Sequence, residues 1–500
     1  MECKCIKLSY AERRVLMQLR RFRWVFCQLD ALRHCFPPNL RQYLNELPET
    51  LDETYERILK GINKAQKDNA HRLLQCLTVA VRPLLVEELA ELLAFDFKAS
   101  TAGGIPTLKE DWRWDDQEEA VLSICSSLIA IIPRYDSRVV QFSHFSVKEY
   151  LTSSRLEQSP HGDISRFHID LNPAHTVMAQ ACLATLFRLN EHAGKSNAKD
   201  SPLVNYAAQH WVDHAQFENV SSHVREAMDD IFDSSKPHFA AWLQAYDIDE
   251  DWSAFSPYSR EGVGSTLYYA AFCGFYDLAE RLIIKHPEHV DARGGRILAP
   301  LPAAVYKRHF HVANLLYQHG AVVDVQGQFE CTPLYIASSR GQVDIMKWLL
   351  DHGADANAPS RDHFTPLYEA AYAMHFEAVQ VLLEHNADIN SQNVNGQTPL
   401  YGAFMKSGLG DSEWEKKVAD MVRRLLEHGA DPNICTYYHS SPLHHASSCG
   451  SLEAARLLLG YGAKVGEKDG EGRTPLQLAT SEGYDEMAKL LLEYGAVPQP

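Results

Sequence analysis

The sequence contains few residue patterns that could carry out chemistry. Gly194, Lys195 and Ser196 look like the end of a phosphate-binding loop, in which backbone N–H groups cradle the phosphate and lysine neutralises it. The first glycine of such a loop is replaced here by Leu189, within a segment that has a helical pattern. There is no G-x-S-x-G nucleophile motif, and cysteines and histidines show no catalytic arrangement. The sequence therefore predicts no enzyme activity, no nucleotide or other cofactor, and no small-molecule substrate.

The 24 histidines raise the question of a metal site. His352, His385 and His428 recur at a regular spacing, each at the end of a predicted helix. Equivalent positions on neighbouring helices lie about 10 Å apart, which is too far for a shared ion. A histidine at a helix end is favourable to the helix dipole when it is protonated. The sequence therefore predicts helix-end histidines and no metal site.

Charge and composition limit the partners and the compartment. The chain has 500 residues, with 48 Lys and Arg against 65 Asp and Glu, and a net charge of −17. This charge opposes binding to nucleic acid and to anionic membranes. No run approaches the ~20 apolar residues that cross a bilayer, so we expect a cytoplasmic protein, with the nucleus as an alternative. The eleven cysteines form no C-x-x-C pair and are expected to be reduced and mostly buried.

Two sequence markers recur in the second half of the chain. The first is Thr/Ser-Pro-Leu, and the second is His/Tyr followed by Gly or Asn and then Ala. The leucines of the first marker are 33, 33, 43 and 33 residues apart, at Leu334, Leu367, Leu400, Leu443 and Leu476. The second marker steps by 33, 43, 33 and 33 residues from His352 onward. Weaker copies upstream, at 299–301 and 265–267, extend the array to seven repeats.

Each repeat encodes two helices followed by a hairpin. The Thr or Ser hydroxyl caps free backbone N–H groups and proline is tolerated at the first helical position, so the first marker starts a helix. The second helix carries an apolar stripe, as at Met346, Leu349 and Leu350, and Gly353 supplies the left-handed residue that ends it. This pattern over 265–497 resembles the ankyrin repeat. The resemblance implies a stacked solenoid whose exposed tips and helix faces bind proteins.

One departure from the family pattern concerns a histidine. The T-P-L-H motif of ankyrin repeats is complete only at His444, and Tyr335, Tyr368 and Tyr401 replace its histidine elsewhere. The tyrosine hydroxyls could substitute for the hydrogen bond that this histidine makes to the backbone. Alternatively, the rings only pack between neighbouring first helices.

A second departure is the interval that is ten residues too long. The extra residues are predicted to form a loop at about 406–416, before a helix that begins near Val418. The loop contains Trp414, which could project as a contact residue. The other interpretation is a tolerated surface insertion, because long loops cost little closure entropy.

The front half of the chain has the pattern of a winged helix. Thr50 followed by Glu53 fits a capping box at the start of a helix. Three helical patterns and an extended pair follow, at 73–79, 86–95, 120–128, 129–133 and 138–142. A further helix is predicted at 146–153. Three helices and a hairpin predict a winged helix.

These stretches resemble fungal NACHT–ankyrin proteins, which are relatives of NLR-type signal-transducing NTPases. The motif at 22–30, F-R-W-V-F-C-Q-L-D, is similar to the end of their nucleotide-binding part. The stretch at 47–59 is similar to the one that leads into a winged helix also found in GPI inositol-deacylase-like proteins. Residues 142–151 are similar to its closing strand and helix, and 202–211 to the helical spacer before the repeats. The resemblance implies a P-loop well upstream of Phe22, so we expect the nucleotide site to be missing.

The predicted fold is mostly α, with a winged-helix and helical spacer region followed by an ankyrin-repeat solenoid. We predict four segments: the remnant of a NACHT module at 1–65, the winged-helix domain at 66–155, the spacer at 156–260, and seven repeats at 261–497.

The winged helix itself is acidic where a DNA-binding one is basic. Four acidic residues between 115 and 119 introduce the expected recognition helix, which has no Lys or Arg through Leu128. The wing has only two basic residues, Arg134 and Arg138, which are too few for binding to DNA. Because phosphate neutralisation supplies most of the affinity for DNA, an intramolecular packing role is favoured.

The hairpin tips of the repeats are the remaining candidates for function. Aromatic and arginine side chains are the expected anchors, because they bury much area with few rotatable bonds. The predicted protein-binding residues are Phe329, Arg361, His363, Phe364, Asn395, Trp414, Tyr437, Tyr438 and Lys468. The register also places Gln328, Asp362, Asn393, His439, Asp469 and Glu471 at tips. Tyr437 and Tyr438 are the favoured pair, although they could instead only stiffen their own hairpin.

The sequence as a whole predicts a non-enzymatic protein–protein interaction module. It would be the sensing or scaffold part of an NLR-like fungal signalling protein, with an unidentified protein partner. Residues 261–500 contain 19 basic and 29 acidic residues, which favours a partner surface with Lys or Arg. One alternative is a fragment of a NACHT NTPase whose P-loop lies upstream and whose nucleotide drives oligomerisation. The third possibility is a winged-helix DNA-binding regulator.

Overall fold

The computed structural model describes residues 50–98, 104–134, 137–191, 201–249, 262–405 and 412–498. The chain divides into two compact units, residues 1–248 and residues 249–500. The motif at 22–30 and the Gly194–Ser196 triplet lie outside the described residues. None of the described helices is long and apolar enough to cross a membrane.

Helix α1, Leu51–Gly61, begins with the predicted capping box. The Thr50 hydroxyl accepts a hydrogen bond from the Glu53 amide at 3.2 Å, and the Glu53 carboxylate accepts one from the Thr50 amide at 3.3 Å. Tyr55 and Leu59 are buried on the inner face of the helix. The two orphan donors at the helix start are therefore satisfied by its own first turn, as expected.

The next segment contains the three helices and the hairpin of a winged helix. Its helices are α2, Lys67–Val79; α3, Val86–Leu93; and α4, Gln117–Cys125. Its strands are β1, Leu84–Leu85; β2, Phe95–Asp96; β3, Thr107–Leu108; β4, Ile129–Arg134; and β5, Ser137–Phe142. Strands β1, β5 and β4 form an antiparallel sheet in that order, while β2 pairs with β3. The predicted helices and hairpin are present, and the β2–β3 pair was not predicted.

The described residues of this unit contain eight further α-helices, which have four to 21 residues each. They are α5, Phe145–Leu151; α6, Ser154–Glu157; α7, Gly162–Ser165; α8, Leu171–Glu191; α9, Val204–Ala215; α10, Val220–His223; α11, Arg225–Ile231; and α12, His238–Ala245. An aromatic cluster forms part of their core. Trp211 and Trp242 have ring centroids 5.2 Å apart, and Phe232 lies 5.9 Å from Trp242.

Buried polar side chains connect distant parts of the first unit. The Glu91 carboxylate accepts hydrogen bonds from Arg113 at 2.6 Å, from the Ser201 hydroxyl at 2.9 and 3.0 Å and from the Leu203 amide at 2.9 Å. His214 is fully buried, 2.9 Å from both the Tyr206 hydroxyl and His175 Nδ1. Burial lowers the pKa of His214 to about 3. Glu91 thus joins α3 to the start of α9, and His214 joins the end of α9 to α8.

The second unit contains seven helix pairs within the residues that the structure describes. They are α13, Thr266–Phe272, with α14, Tyr276–Lys285; α15, Pro300–Tyr306, with α16, Phe310–Gln318; α17, Pro333–Ser339, with α18, Val343–Asp351; α19, Pro366–Tyr372, with α20, Phe376–Glu384; α21, Pro399–Met405, with α22, Ser412–Glu427; α23, Pro442–Cys449, with α24, Leu452–Gly460; and α25, Pro475–Ser481, with α26, Asp485–Glu493.

The predicted start and stop signals of the repeats are confirmed. The Thr332 hydroxyl accepts from the Tyr335 amide at 3.3 Å, and Pro333 occupies the first turn of α17. Gly353 follows α18 with a φ of 89°, the left-handed conformation that favours glycine. The buried Asp249 also belongs to this unit, since Tyr268 and Tyr269 donate hydrogen bonds to it at 3.2 Å.

The described cysteines are free thiols, as predicted. Five of them are buried, and Cys435 and Cys449 are half-buried. Burial raises the pKa of the Cys76 thiol to about 12, so this side chain behaves as an apolar core residue.

Candidate protein-interaction surface

The hairpins that follow the second helices are built by short backbone hydrogen bonds. In each, an amide donates to the carbonyl four residues ahead, as from Ser360 to Phe364 at 2.9 Å and from Asn393 to Gln397 at 3.1 Å. A second bond closes the turn, as from His439 to Thr436 at 2.8 Å. The three residues between these anchors form the tip of each hairpin. We call these tips, residues 328–330, 361–363, 394–396, 437–439 and 470–472, the tip row.

Neighbouring tips are joined by a ladder of backbone hydrogen bonds. The four bonds run from Arg361 to Phe329 at 2.7 Å, from Val394 to Asp362 at 3.1 Å, from Tyr437 to Asn395 at 3.0 Å and from Gly470 to Tyr438 at 2.7 Å. Each tip is therefore fixed to the next by its main chain, whatever side chains it carries. The insertion of ten residues leaves this ladder continuous.

Backbone conformation restricts the third residue of each tip. His363 and His439 have φ values of 59° and 54°, and Gly396 at the same register position has a φ of 75°. A Cβ on Gly396 would lie only 2.7 Å from the Tyr437 amide nitrogen. A side chain at position 396 would press against the main chain of the next tip, so the position favours glycine.

Tyr437 and Tyr438 are the largest exposed side chains of the tip row. Their exposed fractions are 66% and 74%. Within the described part of the chain, neither ring makes an aromatic contact or a side-chain hydrogen bond. Both rings are therefore accessible from solvent, where aromatic side chains can bury a large area against a partner.

The other predicted residues of the tip row are also at the surface. Arg361, His363 and Asn395 are exposed, and the Phe329 ring is half-buried. The Arg361 guanidinium lies 5.8 Å from the centre of the Phe329 ring, and its Nε lies 3.7 Å from Glu330. Along the row, Asn395 lies in the tip next to the tyrosine pair, Arg361 and His363 lie two tips away, and Phe329 lies three tips away.

Three predicted residues lie outside the tip row. Lys468 is exposed two residues before the last tip. The Phe364 ring is half-buried against Tyr368, with centroids 4.8 Å apart. Trp414 is also half-buried, and it lies on helix α22.

The position of Trp414 corrects the prediction of a loop at 406–416. Helix α22 begins at Ser412 instead of near Val418, and it has 16 residues, whereas α18 has nine. Residues 412–417 contain helix-forming side chains, and Glu413 pairs with Lys417 at 3.2 Å across one turn. The C-terminal part of the insertion therefore lengthens the helix, while 406–411 lie outside the described residues.

One apolar residue of the tip row was missed by the sequence analysis. Val394 is 47% exposed and aligns with Arg361 and Tyr437 in the ladder. The 33-residue register could have identified it, since 394 follows 361 by one period. Asn393, predicted at the tip, is instead 3% exposed, and its side chain accepts from the Asn395 and Gln397 amides at 2.9 and 3.0 Å.

The motif position of His444 is occupied by hydrogen-bonding residues in several repeats: histidine at 444, tyrosine at 335, 368 and 401, and glutamine at 477. His444 Nδ1 accepts from the Ser441 amide at 3.2 Å, so Nε2 carries the proton and donates to the Arg473 carbonyl at 3.2 Å. Tyr335 donates to the Glu369 carboxylate at 2.7 Å, and Tyr368 donates to Gln397 at 3.3 Å. The tyrosines thus substitute by bonding side chains of the next repeat rather than its backbone. Tyr401 stacks on His445 at 5.2 Å.

The helix-end histidines cap their helices as predicted. Nδ1 of His352, His385 and His428 lies 2.6, 2.8 and 2.8 Å from the carbonyl four residues earlier. Each of these rings therefore contacts the last turn of its own helix through Nδ1.

Comparison with known proteins supports both halves of this description. Residues 267–499 match the family model of ankyrin repeats, and residues 55–161 match the model of the GPI inositol-deacylase winged helix domain. The chain therefore carries this winged helix followed by ankyrin repeats, and the predicted architecture is confirmed. Ankyrin repeats indicate a protein-interaction module.

A fungal protein is similar to part of this chain. The azaphilone pigments biosynthesis cluster protein L of Monascus ruber is 32% identical over 292 residues, which make up 55% of this chain and 60% of that protein. This chain thus matches less than two thirds of the relative's length. Among solved structures, the ankyrin repeat domain of Bcl-3, a member of the IkappaB family, is 29% identical with a TM-score of 0.40, covering 47% of this chain and 100% of that chain.

Proposed function

We propose that the tip row of this winged-helix and ankyrin-repeat chain binds a partner protein, with Tyr437 and Tyr438 as its anchors. The observation that carries the proposal is an exposed aromatic pair held on a ladder of main-chain hydrogen bonds. Residues Phe329, Arg361, His363, Asn395 and Lys468 would form the surrounding contacts.

The ladder lowers the conformational cost of binding. Ordering a flexible loop at an interface costs free energy that subtracts from affinity. The Tyr437 amide and the Tyr438 carbonyl are already bonded to the neighbouring tips, at 3.0 and 2.7 Å. At these two residues, binding would therefore restrict the side-chain rotamers but would require little ordering of the main chain.

The charged residues near Tyr437 and Tyr438 indicate what kind of surface a partner would present. Beside it, Asp469 and Glu471 both accept from Arg473, at 2.9 Å each, so that arginine is already neutralised. Residues 261–500 have ten more acidic than basic residues, 29 against 19. We propose a partner surface that offers apolar area for the two rings and Lys or Arg at its rim.

A matched pair of double variants tests this function. The chain offers a control in Tyr461 and Tyr494, which are each 48% exposed in the same unit but lie outside the tip row. Tyr437→Ala plus Tyr438→Ala should weaken a purified partner's binding by at least about thirtyfold, because hot-spot residues contribute about 2 kcal/mol or more. Tyr461→Ala plus Tyr494→Ala should leave the dissociation constant unchanged. Equal effects of the two double variants would contradict the proposal.

We further propose that the chain is the non-enzymatic sensing or scaffold part of an NLR-like fungal signalling protein. The winged helix before the repeats and the fungal relative support this role. The alternative is that it functions as part of a nucleotide-driven NACHT NTPase. The genomic sequence upstream of the Met1 codon distinguishes them: an in-frame G-x-x-x-x-G-K-[ST] motif after a predicted strand would favour the NTPase, and no such motif would favour the scaffold.

The contacts of the wing disfavour a DNA-binding function. Arg138 forms an ion pair with Glu118, and Asp116 accepts from the amides of Glu118 and Glu119 at 3.0 Å to cap α4. Of the two wing arginines, Arg138 is thus paired within the protein instead of being free for phosphate. We expect no retardation of duplex DNA at low salt, and a salt-sensitive complex would contradict this.

A further inference from the structure

We propose that His286, Glu288 and His289 bind a divalent transition-metal ion of the zinc type, just after helix α14. Each residue offers one ligand atom, and the three atoms lie within 4.8 Å of one another. His286 Nδ1 is 3.2 Å from Glu288 Oε1, and His289 Nε2 is 4.0 Å from the same oxygen. All three residues belong to one turn, because a 3-10 helix spans Pro287–His289.

These separations match the size of a tetrahedral zinc site. Zinc binds histidine nitrogen and carboxylate oxygen at about 2.0–2.2 Å, which places two ligand atoms of a tetrahedron about 3.4 Å apart. The two observed distances, 3.2 and 4.0 Å, bracket that value. Small side-chain rotations would bring the three atoms onto one ion, with a fourth position left for water.

His286 differs from the histidines at the same register position of later repeats. In His352, His385 and His428, Nδ1 faces the carbonyl four residues earlier and caps the helix. In His286, Nδ1 faces the Glu288 carboxylate. Pro287 follows His286 where glycine follows His352, and the chain continues directly into the 3-10 turn.

His289 has no hydrogen bond through its ring within the described residues. Its Nδ1 is buried without a partner. Its Nε2 lies 4.0 Å from Glu288 Oε1, which is too long for a hydrogen bond. The ring stacks on that of His286, with centroids 4.9 Å apart and planes 19° apart. Nε2 is therefore held near the other two ligand atoms by packing, with its lone pair available to an ion.

The charges and ligand types favour zinc over harder ions. The Glu288 carboxylate places a negatively charged oxygen 3.2 and 4.0 Å from the two imidazole nitrogens. On binding, the ion would replace any proton between His286 Nδ1 and this carboxylate, and that proton would leave to solvent. Two imidazoles and one carboxylate suit zinc and similar ions, whereas calcium and magnesium prefer all-oxygen ligand sets. The two histidine side chains are 30% and 27% exposed, so an ion can enter directly from solvent.

A bound ion would stiffen the start of the repeat array. It would tie the residue that ends α14 to the turn that leads to Asp291. The Asp291 carboxylate accepts a hydrogen bond from the Val322 amide of the next repeat at 3.1 Å. The proposed role of the ion is therefore to fix the turn of the first repeat from which Asp291 bonds the second repeat.

Metal titration of the full chain tests the proposal. Chelator-treated protein would be titrated with Zn²⁺ by calorimetry and with Co²⁺ by visible absorption, which reports the coordination geometry. The matched variants are His286→Gln plus His289→Gln and, as a control, His311→Gln plus His319→Gln, two exposed histidines of the next repeat. Circular dichroism would verify that all variants fold.

We expect the wild type and the control to bind one Zn²⁺ more than the His286→Gln plus His289→Gln variant. Glu288→Gln keeps the side-chain size and should weaken that site at least about tenfold, since even outer-shell changes cost 10–100-fold. It should also abolish the rise in melting temperature that Zn²⁺ gives the wild type. The same number of ions and the same affinities in wild type and double variant would overturn the proposal, as would an equal loss in the control.

Discussion

The two units of the molecule satisfy their polar groups in different ways. In the first, buried side chains such as Glu91 and His214 bond partners far away in sequence, as from Glu91 to Ser201, 110 residues apart. In the second, the same short pattern of caps, turn bonds and tip-to-tip bonds recurs through the repeats. The buried polar groups of the first unit are thus satisfied by individual side chains, whereas the second unit relies more on main-chain hydrogen bonds that recur from repeat to repeat.

This difference determines where sequence can change without loss of fold. A side chain of the tip row such as Tyr438 contributes little to folding, because the ladder uses its carbonyl and not its ring. The tips are therefore free to carry recognition residues, whereas the buried groups of the first unit are not. The following predictions test this comparison, from the largest expected change in stability to the smallest.

Glu91→Ala should destabilise the first unit most. It removes the acceptor of the Ser201 hydroxyl and of the Leu203 amide, and one of the two carboxylates that pair with Arg113; breaking such a buried network costs about 3 kcal/mol. The matched control is Glu110→Ala, because Glu110 also pairs with Arg113, at 2.8 Å, but its side chain is 56% exposed. Exposed pairs contribute about 0–1 kcal/mol. Urea unfolding measures both, and similar losses for the two variants would contradict the comparison.

Gly396→Ala should destabilise the repeats by an intermediate amount. A left-handed φ costs a non-glycine residue about 1–3 kcal/mol, and here the added Cβ also meets the Tyr437 amide at 2.7 Å. Gly429→Ala is the control, because its φ is 94° but nothing lies within 4 Å of the added Cβ. The first variant should lose more stability in thermal unfolding than the second. The reverse order would show that the tips do not touch through their main chains.

Acidification should weaken the first unit through His214. Because burial holds the pKa of folded His214 at about 3, the unfolded chain binds the proton first as pH falls below the ordinary histidine pKa of 6.5. Stability from this group is therefore complete above pH 6.5 and falls by about 1.4 kcal/mol per pH unit between there and about 3. Hydrogen exchange of α9 at pH 7 and pH 5.5, corrected for intrinsic rates, measures the loss. Unchanged protection of α9 would show that His214 does not titrate in this way.

The double variant Tyr437→Ala plus Tyr438→Ala should change stability least. Surface substitutions of this kind usually stay within about 0.5 kcal/mol each. The melting temperature should match that of the wild type, while hydrogen exchange at the tip amides stays slow. A large drop in melting temperature would mean that the two rings support the hairpin.

Local signals explain which parts of the fold were predictable from sequence. The capping box at Thr50 and the caps of the Thr/Ser-Pro-Leu markers act within one turn, so their residues suffice to identify them. The period of 33 residues then aligned the tips, including Tyr437 and Tyr438. The start of α22 at Ser412 could not be predicted from the 33-residue period, because the insertion has no equivalent in the other repeats.

Long-range and irregular features were not predictable in the same way. The bonds of Glu91 to Ser201 and Leu203 join residues more than 100 positions apart, and no periodic pattern marks them. The His286–Glu288–His289 group was overlooked because the analysis of histidines followed the repeat spacing. Its signal was local: the sequence His-Pro-Glu-His stands where later repeats have His/Tyr followed by Gly or Asn and Ala.

Site-specific photo-crosslinking tests the central claim most directly. A photo-reactive phenylalanine analogue would be placed at position 438 in the tip row, and in a second protein at position 461, which is exposed but outside it. Each protein would be illuminated with the purified partner, and the products separated by mass. The account predicts a crosslinked product from position 438 and none from position 461. A product from 461 alone, or equal yields from both, would contradict it.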